Sequence, residues 1–472
     1  MSTLSARALA TLLAGWRDAG VAYAALADRI RLLILDGRIA TSTRLPAERE
    51  LAAQLGVSRT TVTAAYAALR DSGYLLSVRG SGSVAQLPAR QHVAFDGTYP
   101  DLLDLSKATM PAIPQVADAA QAAAAQLPGY LGESGFDAYG LDALREAIAD
   151  RYAARGLPTS PDQVMVTVGA QNAIALIART IMGRGDRALI EHPTYPHALD
   201  ALRTAGARVI PVSVTTDEGW DAAALEQSIQ RSSPALGYLM PDNHNPTGRT
   251  MPEEQREWLL ALAARHGTTI VADETMAELG LDGQPSPLPI AAHGNAILVG
   301  SVGKTVWGGL RVGWIRADRT VIQRLARARF SSDLGTPIME QLVVAHLLRD
   351  FDSVLEQRRA YLREGRDRLV RLLHERLPEW TVPHTSGGLT SWVNLGEPVS
   401  SQLAIAARNE GLVIAAGPRF GVDGAFERFI RIPFSYSEEH TVRGVDALAR
   451  AWATVMRYPA AAEVQEDLAS IV

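Results

Sequence analysis

Short apolar runs that alternate with helical patterns constrain the fold of this 472-residue chain more than any other feature. Between residues 164 and 300 the runs are continuous rather than alternating in polarity, and they occupy 164–168, 187–191, 208–212, 235–240, 268–273 and 296–300. Continuous runs of this length are typical of strands that are covered on both faces. With helical segments such as 252–266 between them, they predict an α/β domain with a mainly parallel sheet.

The flanking segments suggest how this domain is bounded. After about residue 335 the pattern is more helical, with further strands predicted at 390–395 and 429–432. We therefore predict an α/β domain at 104–460, with a large lobe at about 145–335 and a small lobe at about 104–144 and 336–460. Residues 87–103 lack periodicity and contain prolines and a glycine, which predicts a linker.

Composition excludes several classes of site. The chain has no cysteine, which excludes disulfides, cysteine metal sites and cysteine nucleophiles, and we predict no metal site. No apolar run reaches the length of a membrane span, and the first residues lack an export-type cleavage pattern, so we expect a cytoplasmic protein without membrane contact.

The first 86 residues predict a separate, modestly basic domain of three helices and a wing. They carry ten arginines and six acidic residues, a balance of +4 in a chain whose net charge is −5. Residues 22–36 place apolar side chains on one helical face, 44–56 read as a turn and a short helix closed by Gly56, and Ser58 is placed to cap a third helix. Residues 74–84 then read as two strands. Two helices joined by a tight turn predict a helix-turn-helix at 15–86.

The start of the third helix carries short or cationic side chains that suit base edges and phosphates. Arginines of the preceding segment and of the wing tip extend this predicted surface. We predict DNA contacts from Arg44, Arg49, Ser58, Arg59, Thr60, Thr61, Thr63, Arg79 and Gly80. A purely structural helical domain is the alternative that the order of elements alone leaves open.

A single lysine suggests the chemistry of the α/β domain. Lysine occurs only at Lys107 and Lys304, while arginine is abundant. An amine can lose its proton and attack an aldehyde carbon, which an arginine cannot do. Ser301 and Arg311 flank Lys304 with a hydroxyl and a permanent cation, groups that hold a phosphate monoester. The cofactor suggested is pyridoxal phosphate, although a lone Gly-Lys-Thr more often belongs to an ordinary loop.

Other strand ends carry groups that fit the same cofactor. A turn into a helix at Ala170 and Gln171 offers free amides to an anion, and Tyr195 offers a ring that could stack or equally belong to the core. Asn245 follows another strand, and Asp273 ends the next one. A carboxylate in an apolar setting needs a partner, which a pyridinium nitrogen supplies. These groups share the edge at which open α/β sheets bind ligands.

The order Gly-Ala-Gln, Glu-x-Pro-x-Tyr, Asn-Pro-Thr-Gly, Asp-Glu and Ser-x-x-Lys with a downstream Gly-Gly-Leu-Arg resembles the fold-type I aminotransferases across about residues 105–455. The resemblance implies an internal aldimine on Lys304, with Asp273 at the pyridine nitrogen, Asn245 at the ring hydroxyl and Tyr195 beside the ring. It also implies phosphate contacts from Ala170, Gln171, Ser301 and Arg311, and a carboxylate contact from Arg431.

One departure concerns a proton donor. The resemblance leads us to expect a tyrosine near Asp273, but the chain reads Asp-Glu-Thr-Met, which puts Thr275 or Met276 in its place. Repeated proton transfers during turnover need a positioned acid or base, so this loss puts sustained catalysis in doubt.

Residues 22–86 resemble the winged helix-turn-helix of GntR-type regulators, through Arg-Leu-Pro at 44–46, Arg-Glu-Leu-Ala at 49–52, Gly-Val-Ser-Arg-Thr-Thr-Val at 56–62 and the Gly-Ser-Gly wing. Such a head on an aminotransferase-like domain is the layout of the MocR subfamily. The resemblance implies a transcriptional regulator that binds double-stranded DNA as a head-to-tail homodimer and senses pyridoxal phosphate, alone or with an amino compound. The alternative is a catalytically active pyridoxal phosphate-dependent aminotransferase with an accessory N-terminal domain.

Overall fold

The computed structural model describes residues 3–13, 16, 22–35, 39, 43–71, 73–78, 82–86, 102–422 and 424–457. The chain divides into two compact units. One comprises residues 1–103 with 401–412 and 447–472, and the other comprises 104–400 with 413–446. Most of the predicted linker lies outside the described residues, and the predicted domain limits remain a prediction. Within the described ranges, no helix is both long enough and apolar enough to cross a membrane.

The N-terminal part contains the predicted helices and wing. The elements are α1 (Ala6–Leu12), α2 (Ala22–Leu35), α3 (Glu48–Leu55), α4 (Arg59–Asp71), β1 (Leu75–Val78) and β2 (Gly82–Ala85). Gly56 ends α3 in the left-handed region at φ 60°, a conformation that glycine adopts without strain. The hydroxyl of Ser58 accepts a hydrogen bond from the amide of Thr61 at 3.2 Å, so the predicted cap of α4 is confirmed.

Apolar faces of these helices form a single core. The residues predicted to share one face of α2 are all buried, namely Leu26, Ile30, Leu33 and Ile34, and they pack in a cluster with Leu51, Val62, Tyr66 and Leu69. The wing is an antiparallel hairpin in which Leu75 pairs with Ala85 and Val78 with Gly82. The predicted helix-turn-helix and two-stranded wing are therefore confirmed.

The rest of the chain alternates strands and helices, as predicted. In order it forms β3 (Leu103–Asp104), α5 (Gln115–Gln126), α6 (Asp142–Ala154), β4 (Val164–Thr167), α7 (Ala170–Ile181), β5 (Arg187–His192), α8 (Pro196–Thr204), β6 (Arg208–Thr215), β7 (Gly219–Trp220), α9 (Ala222–Ser232), β8 (Leu236–Leu239), α10 (Glu253–Arg265), β9 (Thr269–Asp273), β10 (Ile297–Ser301), β11 (Gly313–Arg316), α11 (Arg319–Arg329), α12 (Ile338–Leu347), α13 (Phe351–Arg376), β12 (Thr390–Asn394), α14 (Ser400–Asn409), β13 (Leu412–Val413), β14 (Ala415–Ala416), β15 (Phe429–Pro433) and α15 (Glu438–Arg457).

The main sheet has the order β4-β11-β10-β9-β8-β5-β6-β7. Strands β10, β9, β8, β5 and β6 run parallel to one another, whereas β11 is antiparallel to both β10 and β4, and β7 is antiparallel to β6. Strand β11 begins at Gly313, directly after an irregular segment. A 3-10 turn occupies Gly308–Leu310, and Arg311 then adopts φ 54°, which is incompatible with a strand.

A smaller antiparallel sheet has the order β12-β15-β14. Its strands β12 and β15 lie within one residue of the predicted strands at 390–395 and 429–432. The rings of Trp392 and Phe429 stack 5.2 Å apart on this sheet, with Phe420 packed against the tryptophan edge at 5.3 Å. This aromatic cluster fixes the segment that carries Phe420.

Candidate functional site

A cavity of about 540 Å³ lies where the parallel strands of the main sheet end. All of the residues predicted to contact a cofactor or effector line it, namely Ala170, Gln171, Tyr195, Asn245, Asp273, Ser301, Lys304, Arg311 and Arg431. The fold thus brings together groups that are up to 261 residues apart in the chain. Their individual roles remain predictions.

Lys304 follows the end of β10 and is the cavity's nucleophile candidate. Its Nζ donates a hydrogen bond to the carbonyl oxygen of Ala108 at 2.6 Å. Burial, helped by the positive charge of Arg431, lowers the pKa of Lys304 to about 8, although Asp273 acts in the opposite direction. A substantial fraction of this amine is therefore neutral near physiological pH and able to attack an electrophilic carbon.

Asp273 is a buried carboxylate at the end of β9. One carboxylate oxygen accepts a hydrogen bond from the hydroxyl of Tyr238 at 2.7 Å, and the other accepts from the amide of Thr275 at 3.0 Å. Burial raises the pKa of Asp273 despite these hydrogen bonds and the charge of Lys304. A protonated ring nitrogen placed against this carboxylate would therefore offset its desolvation.

Two glycines, Gly169 and Gly313, approach each other closely at the turn that leads into α7. Gly169 caps the helix at φ 80°, and a Cβ atom at Gly313 would lie 2.6 Å from the carbonyl carbon of Gly169 and 2.7 Å from the amide nitrogen of Ala170. The first amides of a helix have no acceptor within the helix, so those of Ala170 and Gln171 are suited to an anion.

Ser301 and Arg311 complete this anion cradle. The Oγ of Ser301 accepts from the amide of Gly303 and donates to the carbonyl of Val312, each at 3.0 Å. Arg311 adopts φ 54°, which is rare for a residue with a side chain and which turns its guanidinium back onto Val168 at 3.2 Å. The cradle therefore combines helix amides and a fixed cation, which suit a phosphate monoester, with a hydroxyl whose proton is donated to Val312.

Tyr195 and Arg431 form the opposite part of the wall. The ring of Tyr195 stacks on that of His197 at 5.3 Å and 7°. Arg431 donates to Asn245 Oδ1 at 3.3 Å and also to the carbonyl of Ser106. Its Nε is buried and has no hydrogen-bond partner among the described residues. Burial lowers the pKa of Arg431 to about 10, which a bound carboxylate would counteract.

Thr275 and Met276, the two positions at which the resemblance would place a tyrosine, both line the cavity. Met276 lines the cavity, and its carbonyl accepts a hydrogen bond from Asn243 Nδ2 at 2.7 Å. Thr275 is held by Asp273 through its backbone amide. The thioether of Met276 cannot donate a proton. Within the described lining, Tyr195 is the only residue with a phenol.

Several residues of the site were missed by the sequence reasoning. Tyr238 lies within the apolar strand β8, and the hydrophobic pattern of that strand does not indicate a polar contact with Asp273. Residues 106–109 form an irregular segment, and His197 follows two residues after Tyr195. Arg419, in the 3-10 turn Gly417–Phe420, follows a short strand of the smaller sheet, and that position at a strand end was the available signal.

The predicted DNA-contacting residues lie at the start of α4 and beside it. Arg44, Arg49, Ser58, Arg59 and Thr60 are exposed, whereas Thr61 and Thr63 are half-buried. The hydroxyl of Thr63 donates to Glu48 at 2.7 Å, so its proton is used within the domain. The Ser58 hydroxyl is likewise engaged with Thr60 and Thr61. Arg79 and Gly80 lie outside the described residues.

Comparisons with known proteins match both parts of the chain. Residues 101–448 match the aminotransferase class I and II family, and residues 22–84 match the gntR family of bacterial regulatory proteins. The chain is 31% identical to the probable rhizopine catabolism regulatory protein MocR of Rhizobium meliloti, over 79% of this chain and 82% of that protein. It is 30% identical to the HTH-type transcriptional regulator TauR of Rhodobacter capsulatus, over 89% and 94%.

Solved structures resemble the C-terminal part. The α-aminoadipate aminotransferase LysN of Thermus thermophilus, complexed with N-(5'-phosphopyridoxyl)-L-leucine, is 28% identical, with a TM-score of 0.69 over 75% of this chain and 93% of that one. A kynurenine aminotransferase of Pyrococcus horikoshii is 26% identical, with a TM-score of 0.68 over 75% and 91%.

Proposed function

Because this chain belongs to the aminotransferase class I and II family and, with its gntR-family head, to the MocR subfamily of regulators, we propose that it is a transcriptional regulator that binds DNA and pyridoxal phosphate. The observation that carries the proposal is the presence, in one chain, of an exposed cationic helix start and a cavity in which Lys304, Asp273 and Arg311 converge. A DNA-bound regulator acts in the cytoplasm.

The described residues fit the cofactor. Lys304 would hold its aldehyde carbon, Asp273 its ring nitrogen, and the cradle at the start of α7, with Arg311, its phosphate. The close approach of Gly313 to Gly169 supports this assignment, because a side chain there would clash with the backbone turn that presents the amides of α7. When bound, pyridoxal phosphate supplies an electrophilic carbon and an electron-withdrawing ring.

The residues around Lys304 favour sensing of a ligand over sustained catalysis. Arg431 is buried with an unpartnered Nε, which suits the carboxylate of an amino compound. Neither Thr275 nor Met276 supplies the phenol that the resemblance places near Asp273. We propose that pyridoxal phosphate, alone or combined with an amino compound, shifts DNA binding, which requires different affinities for two arrangements of the chain.

An exposed apolar surface supports a homodimer. Leu131 is 71% exposed, Phe136 68% and Phe330 59%. A β-bridge between Asp137 and Gly335 holds the two segments that carry these residues side by side. Exposed apolar clusters of this kind are typical of protein interfaces. We propose a head-to-tail homodimer that presents two α4 helices to two DNA half-sites.

The experiment that tests the proposal is fluorescence anisotropy of DNA from upstream of the protein's own gene, titrated with the full chain with and without pyridoxal phosphate. Saturable binding that competitor DNA does not displace, and that the cofactor shifts, is expected. Weak binding to every fragment, lost in salt and indifferent to the cofactor, would instead favour the aminotransferase alternative, as would keto-acid product formed over many turnovers.

The lowered pKa of Lys304 predicts a pH dependence of cofactor capture. Only the neutral amine attacks the aldehyde, so the rate of capture by the cofactor-free chain should rise with pH through a midpoint near 8, the pKa of Lys304, instead of the ordinary value of 10.5. Stopped-flow absorbance measures this rate. Arg431→Met should move the midpoint upward, because Arg431 contributes to the lowered pKa of Lys304. A midpoint near 10.5 for the unmodified chain would contradict the prediction.

Arg59 predicts the salt dependence of DNA binding. If its guanidinium neutralises one phosphate, Arg59→Ala should weaken binding and reduce the slope of log affinity against log salt by about 1. Anisotropy titrations over a salt series measure the slope. Arg265→Ala, which removes an exposed arginine from α10, is the matched control. Equal slopes for the unmodified and Arg59→Ala chains would refute a phosphate contact.

A further inference from the structure

The charge of the cavity lining exceeds what the cofactor and one carboxylate need. The lining contains the cations Lys107, Lys304, Arg311, Arg419 and Arg431, while Asp273 is the only carboxylate within its described residues. Lys107 is paired with Asp104 at 2.9 Å. The cofactor accounts for Lys304, Arg311 and Asp273, and an amino acid's own carboxylate accounts for Arg431.

Arg419 is the cation that remains. It lies in the 3-10 turn Gly417–Phe420, next to Phe420, whose ring lies 4.9 Å from the guanidinium carbon of Arg431. The two arginines therefore share one part of the wall. Arg419 is exposed and forms no ion pair with a carboxylate of the described chain, although it lines the cavity.

Arg419 lines the cavity, and its charge acts on two other groups of the lining. After burial, Arg419 is the largest contributor to the lowered pKa of His197, and it also lowers the pKa of Arg431. A ligand that carries two anionic groups can place one against each of the two guanidinium groups. A monocarboxylic amino acid would leave one of them without a partner.

We propose that Arg419 anchors a second carboxylate, so that the amino compound sensed here is a dicarboxylic amino acid. This inference rests on the proposed function, because it assumes that Arg431 receives the first carboxylate. Arg419 then determines specificity: it selects the side-chain end of the ligand and takes no part in cofactor attachment. Its partial exposure lets the charged ligand end enter without full desolvation.

Isothermal titration calorimetry of the cofactor-loaded full chain tests the proposal, with L-aspartate, L-glutamate and L-2-aminoadipate compared against L-norleucine. The tightest dicarboxylic ligand should bind at least about tenfold more tightly than L-norleucine, a difference of about 1.4 kcal/mol. Arg419→Gln should abolish this preference, so that the ratio of the dicarboxylic affinity to the L-norleucine affinity falls to about 1, and Arg419→Lys should retain part of it. Arg265→Gln serves as the matched control.

Two outcomes overturn the inference. One is an equal preference in the unmodified and Arg419→Gln chains, and the other is the absence of any preference in the unmodified chain. Uptake of pyridoxal phosphate is measured by absorbance before any amino acid is added, so a failure of the proposed function appears as a chain that takes up no cofactor. A chain that takes up the cofactor but shows either outcome retains the proposed function and loses only the role of Arg419.

Discussion

Replacing Lys304 by alanine should abolish covalent attachment of pyridoxal phosphate and leave the chain folded. No other amine in the cavity can replace it, since Lys107 is the only other lysine and is paired with Asp104 at 2.9 Å. The loss to the fold is small, because the Lys304 amine makes a single hydrogen bond, to Ala108, worth about 1 kcal/mol. Borohydride reduction followed by mass spectrometry of the intact chain measures the attachment.

The matched control is Lys107→Ala, which should keep the reducible adduct at full stoichiometry. Peptide mapping of the unmodified chain should place the adduct on Lys304. A reducible lysine adduct in Lys304→Ala would show that the cofactor attaches elsewhere. Circular dichroism melting of both variants separates this result from unfolding, because a folded Lys304→Ala chain should melt within a few degrees of the unmodified chain.

The part of the site that the sequence predicted shares one physical origin. Parallel strands all end at the same edge of a sheet, so polar residues that follow short apolar runs must converge there. Tyr195, Asn245 and Asp273 were found in this way, and all line the cavity. Periodicity and turn residues suffice for such positions because the rule depends on strand direction, which local patterns encode.

The rest of the site depends on contacts that local patterns do not encode. Lys304 donates to Ala108, which lies 196 residues earlier in an irregular segment. Tyr238 reaches Asp273 across neighbouring strands from within a wholly buried run. The reversed direction of β11 was also missed, because the residue with positive φ before the strand is Arg311 rather than a glycine.

Arg256 should contribute more to stability than any other arginine considered above, although it touches no proposed ligand. It lies fully buried in α10, and its Nη2 contacts Asp242 Oδ1 at 2.6 Å. Its guanidinium also donates to the carbonyls of Met251 at 2.8 Å, Leu288 at 3.0 Å and Pro241 at 3.2 Å. Arg256→Ala would leave a buried carboxylate without its counter-charge, and should cost about 3–5 kcal/mol of unfolding free energy.

Urea unfolding followed by circular dichroism measures this cost. Arg265→Ala is the matched control, since it removes an exposed arginine from the same helix and should change stability by less than about 0.5 kcal/mol. A double variant, Arg256→Met with Asp242→Leu, should recover part of the loss, because it removes both buried charges together. A loss below about 1 kcal/mol for Arg256→Ala would mean that water or a neighbouring cation replaces the guanidinium.

The same arginine connects stability to the cavity. Its acceptors at Pro241, Asp242 and Met251 lie at the two ends of the loop that carries Asn245. Since Asn245 accepts from Arg431 at 3.3 Å, loosening this loop should disturb the ligand-facing wall even in chains that stay folded. Arg256→Ala should therefore weaken pyridoxal phosphate binding at urea concentrations well below unfolding, whereas Arg265→Ala should not. Equal cofactor affinity in both variants would confine Arg256 to a stabilising role.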